Sequence, residues 1–144
     1  LNYNKRTSKW KKSLKRNLIN LSQNKKILLV YPLPKPPINI SRHIKKNFIN
    51  GNLLSKDYHL KDEINYDKKI YEQTNKEIID LFNSITSKNI YKIKTKDVYC
   101  PENKCIFYDN NNIYFFDNVH LSYYGSKILS SIILNKIEKI DKSN

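Results

Sequence analysis

The sequence predicts an α/β fold: a parallel sheet with helices on both faces, carrying one small β-hairpin. Three observations support this. The continuous apolar run "ILLVY" at Ile27 to Tyr31 and the segment "NIYKIK" at Asn89 to Lys94, with Ile90 and Ile93, have the length and β-branched content of strands. Segments with helical periodicity lie before, between and after them. The order helix, strand, helix, strand, hairpin, helix is that of parallel strands joined by crossovers.

From Ser8 to Ser22, Trp10, Leu14, Leu18 and Leu21 recur at helical spacing, with Lys9, Lys11, Lys12, Lys15 and Arg16 on the other faces. The pattern predicts an amphipathic helix; a basic one can lie on an anionic membrane, but an outer-layer helix resting on a sheet has the same pattern and is commoner. The run Ile27 to Tyr31 is apolar on both faces, as a central strand requires, and Pro32, Pro34, Pro36 and Pro37 forbid its continuation. "SRHIKKNFINGNLLSKDYHL" shows no sustained period and reads as a loop with one helical turn from Ile44 to Phe48. Tyr66 to Ile85 places Ile70, Ile78, Leu81, Phe82 and Ile85 on one stripe, with Asp67 and Glu72 near the positive end of the helix dipole. "CIFYDNNNIYFFD" reads as a hairpin turning at Asp109 to Asn112. Ser122 caps a last helix whose stripe is Ile128, Leu129, Ile132, Ile133, Ile137 and Ile140.

A chain of 144 residues holds one domain. Two core strands leave both edges of a parallel sheet bare, so residues 1–144 are expected to be the C-terminal portion of a larger single α/β domain. No apolar run approaches the roughly 18–20 residues of a membrane span. The net charge of +14 is unevenly placed: residues 1–56 hold 14 Lys or Arg and no acid, while all 13 acids follow. A one-sided basic region attracts phosphate, anionic lipid or acidic polysaccharide. Only three of the 27 basic residues are Arg, the side chain suited to forked phosphate and base contacts, so nucleic acid is disfavoured as a partner.

Cys100 and Cys105 in "CPENKC" lack the spacing of a thioredoxin-type redox site, and no His lies near enough for a familiar zinc pattern. A short disulfide, with the oxidising compartment it implies, stands against two free thiols in a cytosolic loop. His43 and His59 have no paired ligands, and neither a metal nor another cofactor is expected. Asp62, Glu63 and Asp67 read as a solvated helix entry, and Tyr123 and Tyr124 as packing beneath the last helix.

The chemistry concentrates in "FFDNVHLSYYGSKIL". Asp117 ends the hairpin and His120 precedes the last helix, in the type of loop where α/β enzymes keep reactive groups. A carboxylate three residues before a His can accept its Nδ1 proton, fix the tautomer and leave Nε2 as a base. Asp-x-x-His alone is a two-letter pattern, and capping by Asp117 with packing by His120 would explain it equally well. The longer string "DNVHLSYYG" closely resembles the last block of SGNH hydrolases, in the version found in SGNH domains fused to acyltransferase-3 membrane proteins. "ILLVYPLP" resembles that family's central strand and following loop, and "VYCPENKC" with "IYFFDNVHLS" its cysteine-bearing lead-in.

The resemblance implies a three-layer SGNH or flavodoxin-like arrangement and an esterase or acyl-transfer site. In it His120 would be the general base and Asp117 its orienter, with Leu121, Ser122 and Gly125 shaping the loop. It further implies an extracytoplasmic domain attached to the cytoplasmic membrane through an upstream region, in which a membrane acyltransferase, an acyl donor and a cell-surface glycan are its partners in O-acylation, O-acetylation foremost. The family's nucleophile lies in a Gly-Asp-Ser block, and its oxyanion donors are a Gly and an Asn in middle blocks. Neither Gly-Asp-Ser nor Gly-x-Asn-Asp occurs here, and the two glycines are Gly51 and Gly125. The chain is therefore expected to be inactive alone, because the nucleophile and the oxyanion hole contribute most to acyl-transfer catalysis. The alternatives are a degenerate domain that binds glycan or a partner, and a basic nucleic-acid module.

Overall fold

The computed structural model describes residues 3–51, 65–108 and 112–142, with side chains from Lys9 onward. The element order is α1 (Tyr3–Leu21), β1 (Ile27–Val30), α2 (Ile40–Ile49), β2 (Tyr66–Asp67), α3 (Lys68–Thr74), α4 (Lys76–Ser84), β3 (Ile90–Ile93), α5 (Lys96–Tyr99), β4 (Lys104–Cys105) and α6 (Tyr123–Asp141). The chain forms two compact units, Leu1–Pro32 with Glu72–Lys94, and Leu33–Tyr71 with Thr95–Asn144.

The first unit holds the parallel pair expected from the two strand segments. β1 and β3 align in register from Ile27 opposite Ile90 to Val30 opposite Ile93. Side chains alternate across a strand, so Ile27, Leu29 and Ile90 share one face. Leu14, Leu18 and Ile19 of α1 and Ile78, Leu81 and Phe82 of α4 pack there, with Ile85. Tyr31 ends β1, its hydroxyl donating to Asn83 at 2.7 Å and its ring meeting Phe82 edge-on at 5.3 Å. Ser22 is buried where α1 ends, bonded to the Ile19 carbonyl at 2.7 Å and to the Ser87 hydroxyl at 2.9 Å.

The second unit is built on aromatic rings. Tyr66 meets Phe107, Phe107 meets Phe115, and Phe115 meets Tyr99, with centroids 5.3–5.6 Å apart. Burying a ring of this size contributes on the order of 2–3 kcal/mol, and Phe107, Phe115 and Tyr99 are wholly buried. β2 pairs antiparallel with β4 through Tyr66 opposite Cys105 and Asp67 opposite Lys104. Cys100 and Cys105 are joined by a disulfide.

Three expectations are corrected here. The stretch after the prolines is not a loop with one turn but a ten-residue helix, α2. Asn39 caps it by accepting the Arg42 N–H at 2.9 Å, and Ile40, Ile44 and Phe48 form an i, i+4, i+8 stripe. The helix expected over Tyr66 to Ile85 is divided: Tyr66 and Asp67 are strand, and Asn75 separates α3 from α4. Among the described residues the expected hairpin is short: an antiparallel bridge joins Tyr108 to Ile113, the Tyr114 N–H donates to the Phe107 carbonyl at 2.8 Å, and Cys105 pairs with Tyr66 of β2. The hairpin turn at Asp109 to Asn111, like His59, Asp62 and Glu63, lies outside the described residues. α6 forms as expected with Ser122 as its cap, although Ile137 is 42% exposed and not on the buried stripe.

Candidate active site

The residues singled out before the last helix form a closed loop. An antiparallel bridge joins Phe115 to Leu121, and the Phe116 N–H donates to the His120 carbonyl at 2.8 Å. Between them the chain turns around one carboxylate. Asp117 Oδ1 accepts the backbone N–H groups of Val119 and His120, each at 2.7 Å. Its Oδ2 lies 2.8 Å from His120 Nδ1.

These contacts define the hydrogen bonding of the pair. An ionised carboxylate only accepts, so Nδ1 carries the proton and a neutral imidazole keeps its lone pair on Nε2. The His120 ring, followed by the two backbone N–H groups, holds the Asp117 carboxyl down at about 2, so the group is charged throughout the neutral range. The Asp117 side chain is 19% exposed and the His120 side chain 75%. The arrangement is thus a fixed anion orienting an imidazole whose far nitrogen is open to approach.

The start of α6 anchors the loop. The Ser122 N–H donates to the Tyr114 carbonyl at 2.9 Å, its hydroxyl donates to the Ile113 carbonyl, and its Oγ accepts the Gly125 N–H at 3.1 Å. That hydroxyl is engaged as both donor and acceptor, in a capping role. Gly125 lies so close to the preceding strand that a Cβ would stand 2.0 Å from the Tyr114 carbonyl oxygen. The wholly buried Tyr99 donates its hydroxyl to the Gly125 carbonyl at 2.9 Å. Burial pushes the Tyr99 phenol up to about 12, so it remains a neutral donor.

An apolar groove of about 420 Å³ adjoins the loop. Ile40, Ile44 and Phe48 of α2 form one wall, and Ile113, Phe116 and Ser122 belong to the other. The Ser41 N–H at the start of α2 donates to the Phe116 carbonyl at 3.1 Å, which ties this wall to the loop.

With this geometry in place, comparison with known families is decisive. Residues 2–135 match the SGNH domain of the type fused to AT3 (acyltransferase-3) domains. The chain belongs to this family. Neither a curated protein nor a solved structure matches it. The match supports an acyltransferase- or esterase-associated role for this SGNH domain and is consistent with a linked membrane acyltransferase region. Among the described residues no helix is long and apolar enough to cross a membrane, and no cluster of His, Cys, Asp and Glu could hold a metal ion.

The other candidates of the SGNH domain lie apart from the dyad. His43 faces Asn47 one turn along α2, at 2.9 Å from Nε2. Asp67 accepts the Lys69 N–H at 2.8 Å at the start of α3. Tyr124 stacks on Tyr114 with centroids 5.7 Å apart, while Tyr123 is 85% exposed. Sequence reasoning missed Tyr99 and Tyr114, which reach the loop only through tertiary contact, and the groove formed with α2. The signal for the groove was the stripe beginning at Ile40, immediately after the capping Asn39.

Proposed function

We propose that this SGNH domain supplies the Asp and His of a Ser-His-Asp acyl-transfer site, the serine coming from a segment outside these 144 residues. The observation that carries the reading is the 2.8 Å contact between Asp117 Oδ2 and His120 Nδ1 on a ring that is mostly exposed. In this reading a nucleophilic serine would place its hydroxyl at His120 Nε2. The imidazole accepts that proton as the serine attacks an ester carbonyl, and returns it to the leaving alcohol. Asp117 holds the tautomer and stabilises the imidazolium. Leu121, Ser122 and Gly125 shape the loop.

The domain would complete a three-layer sheet with its upstream half and act on O-acylation of cell-surface polysaccharide, with an acetyl ester as the simplest substrate. The family's link to AT3 domains supports the membrane acyltransferase as partner. The Cys100–Cys105 disulfide supports an extracytoplasmic, oxidising location. A second reading, a degenerate domain that binds glycan or a partner, is favoured by the absence of Gly-Asp-Ser from the sequence and by the engagement of the Ser122 hydroxyl.

Complementation separates the two. Mixing the chain with a polypeptide carrying an SGNH upstream half should restore hydrolysis of an acetyl ester, and His120→Ala should reduce it by at least about 10²-fold, the scale of a positioned general base. Restored activity that survives His120→Ala would overturn the assignment.

A further inference from the structure

The outward face of α1 has a pattern that the active site does not use. The helix is oriented by its inner side: Leu14, Leu18 and Ile19 enter the core of the first unit. Lys11 pairs with Glu77 of α4 at 2.9 Å, and Lys15 reaches the Ser84 hydroxyl at 3.3 Å. Two of the basic residues are thereby held against α4. Among the α1 residues whose side chains are described, Lys9, Lys12 and Arg16 remain, all exposed and spaced i, i+3, i+7, so that they share one outward stripe. On the adjoining flank Trp10 is 43% exposed and Leu21 53%.

We propose that this face docks on the anionic headgroup surface of a phospholipid bilayer. Charge complementarity is the first argument. The unit containing α1 holds thirteen Lys or Arg against three acids, whereas the other holds fourteen against ten. A lysine-rich background composition accounts for many lysines, but not for 56 consecutive residues without a carboxylate followed by 88 with 13. The second argument is the flank. An indole beside a basic stripe suits the membrane interface, where an apolar ring meets water and headgroups. Nucleic acid offers phosphate equally, but recognition of its backbone and bases favours Arg, and Arg16 is alone among the three stripe residues. The third is proximity: the family is fused to AT3 membrane domains, so a bilayer stands at high effective concentration and weak contacts suffice. Such docking would fix the orientation of the domain over the membrane and is independent of Asp117 and His120.

The sole tryptophan of the chain, Trp10, is the reporter. The 144-residue chain is mixed with vesicles of phosphatidylcholine alone, or of phosphatidylcholine with phosphatidylglycerol, and binding is read by sedimentation and by the Trp10 emission maximum. Binding is expected on the anionic vesicles alone, with a blue shift, and should fall as salt is raised. Each basic residue near such a surface changes partitioning about 5-fold, so Lys9→Gln/Lys12→Gln/Arg16→Gln together should weaken it about 100-fold. Circular dichroism checks that the variant is folded. Equal binding by the folded triple variant, equal binding to neutral vesicles, or no binding at low salt would each overturn the proposal. So would tighter retention on polyuridylic acid than on vesicles at the same salt, which would assign the face to nucleic acid.

Discussion

Replacing Gly125 by Ala tests the packing that holds the loop, because two physical rules give opposite signs. Helix propensity alone predicts that Ala in the first turn of α6 stabilises by about 1 kcal/mol. Here the added Cβ would stand 2.0 Å from the Tyr114 carbonyl oxygen and 2.9 Å from its carbon. To reach an ordinary contact of 3.4 Å the oxygen would have to retreat by about 1.4 Å, the difference of the two distances. That oxygen accepts the Ser122 N–H at 2.9 Å, and the Gly125 carbonyl accepts the Tyr99 hydroxyl at 2.9 Å. The helix start is thus tied by hydrogen bonds to both tyrosines and has little room to slide. Overpacking strain of about 1–3 kcal/mol and weakening of two hydrogen bonds worth about 1 kcal/mol each outweigh the propensity gain. The expected net loss is on the order of 2–3 kcal/mol. Urea denaturation of Gly125→Ala beside the parent chain, followed by far-ultraviolet circular dichroism, measures it. An unchanged or higher midpoint would refute the reasoning, since it would mean that Tyr114 yields freely and that the contact does not position the loop.

Acid should act through Asp117: its folded value of about 2 lies below the ordinary 3.8, so its stabilisation is present above the ordinary value and is lost as pH falls through about 2. Acid denaturation of Asp117→Asn should lack this component, and identical acid limbs for the two proteins would contradict it. Tyr99→Phe keeps the buried ring but removes the hydroxyl that donates to the Gly125 carbonyl, an expected loss of about 1 kcal/mol by urea denaturation. Cys100→Ser/Cys105→Ser opens a loop with a sequence separation of 5, for which chain entropy predicts a loss of about 2 kcal/mol, and thermal unfolding of oxidised and reduced parent chains should bracket the same difference.

What the sequence made legible is mostly local. The strand at Ile27 carries an unbroken apolar run, that at Ile90 carries Ile90 and Ile93 around Tyr91 and Lys92, and Ser122 and the stripe of α6 carry their signals within a few residues. α2 escaped because its cap and first apolar residue, Asn39 and Ile40, immediately follow a proline cluster that reads as irregular chain. The break at Asn75 has no side-chain cap, so its only local mark is the residue type. The pairing of β2 with β4 joins Tyr66 to Cys105 across nearly forty residues. No periodicity within either segment encodes that partnership.

The same division runs through the candidate-site loop. Among the described residues every donor to the Asp117 carboxylate comes from Val119 or His120, within three residues, so the alignment of the imidazole is written into the loop itself. What surrounds the loop is tertiary: Tyr99 at one end of a disulfide-closed turn, Tyr114 beneath Gly125, and Ser41 against Phe116. In the proposed function such a dyad is formed before any nucleophile arrives, and assembly with a serine-bearing segment would need only to bring a hydroxyl to Nε2. Catalysis gains most when such groups are already oriented, because no reorganisation is then required during the reaction. Substitutions at Tyr99 or Gly125 should therefore depress the restored esterase rate constant more than substrate binding, since they misplace a base and leave the substrate's contacts alone.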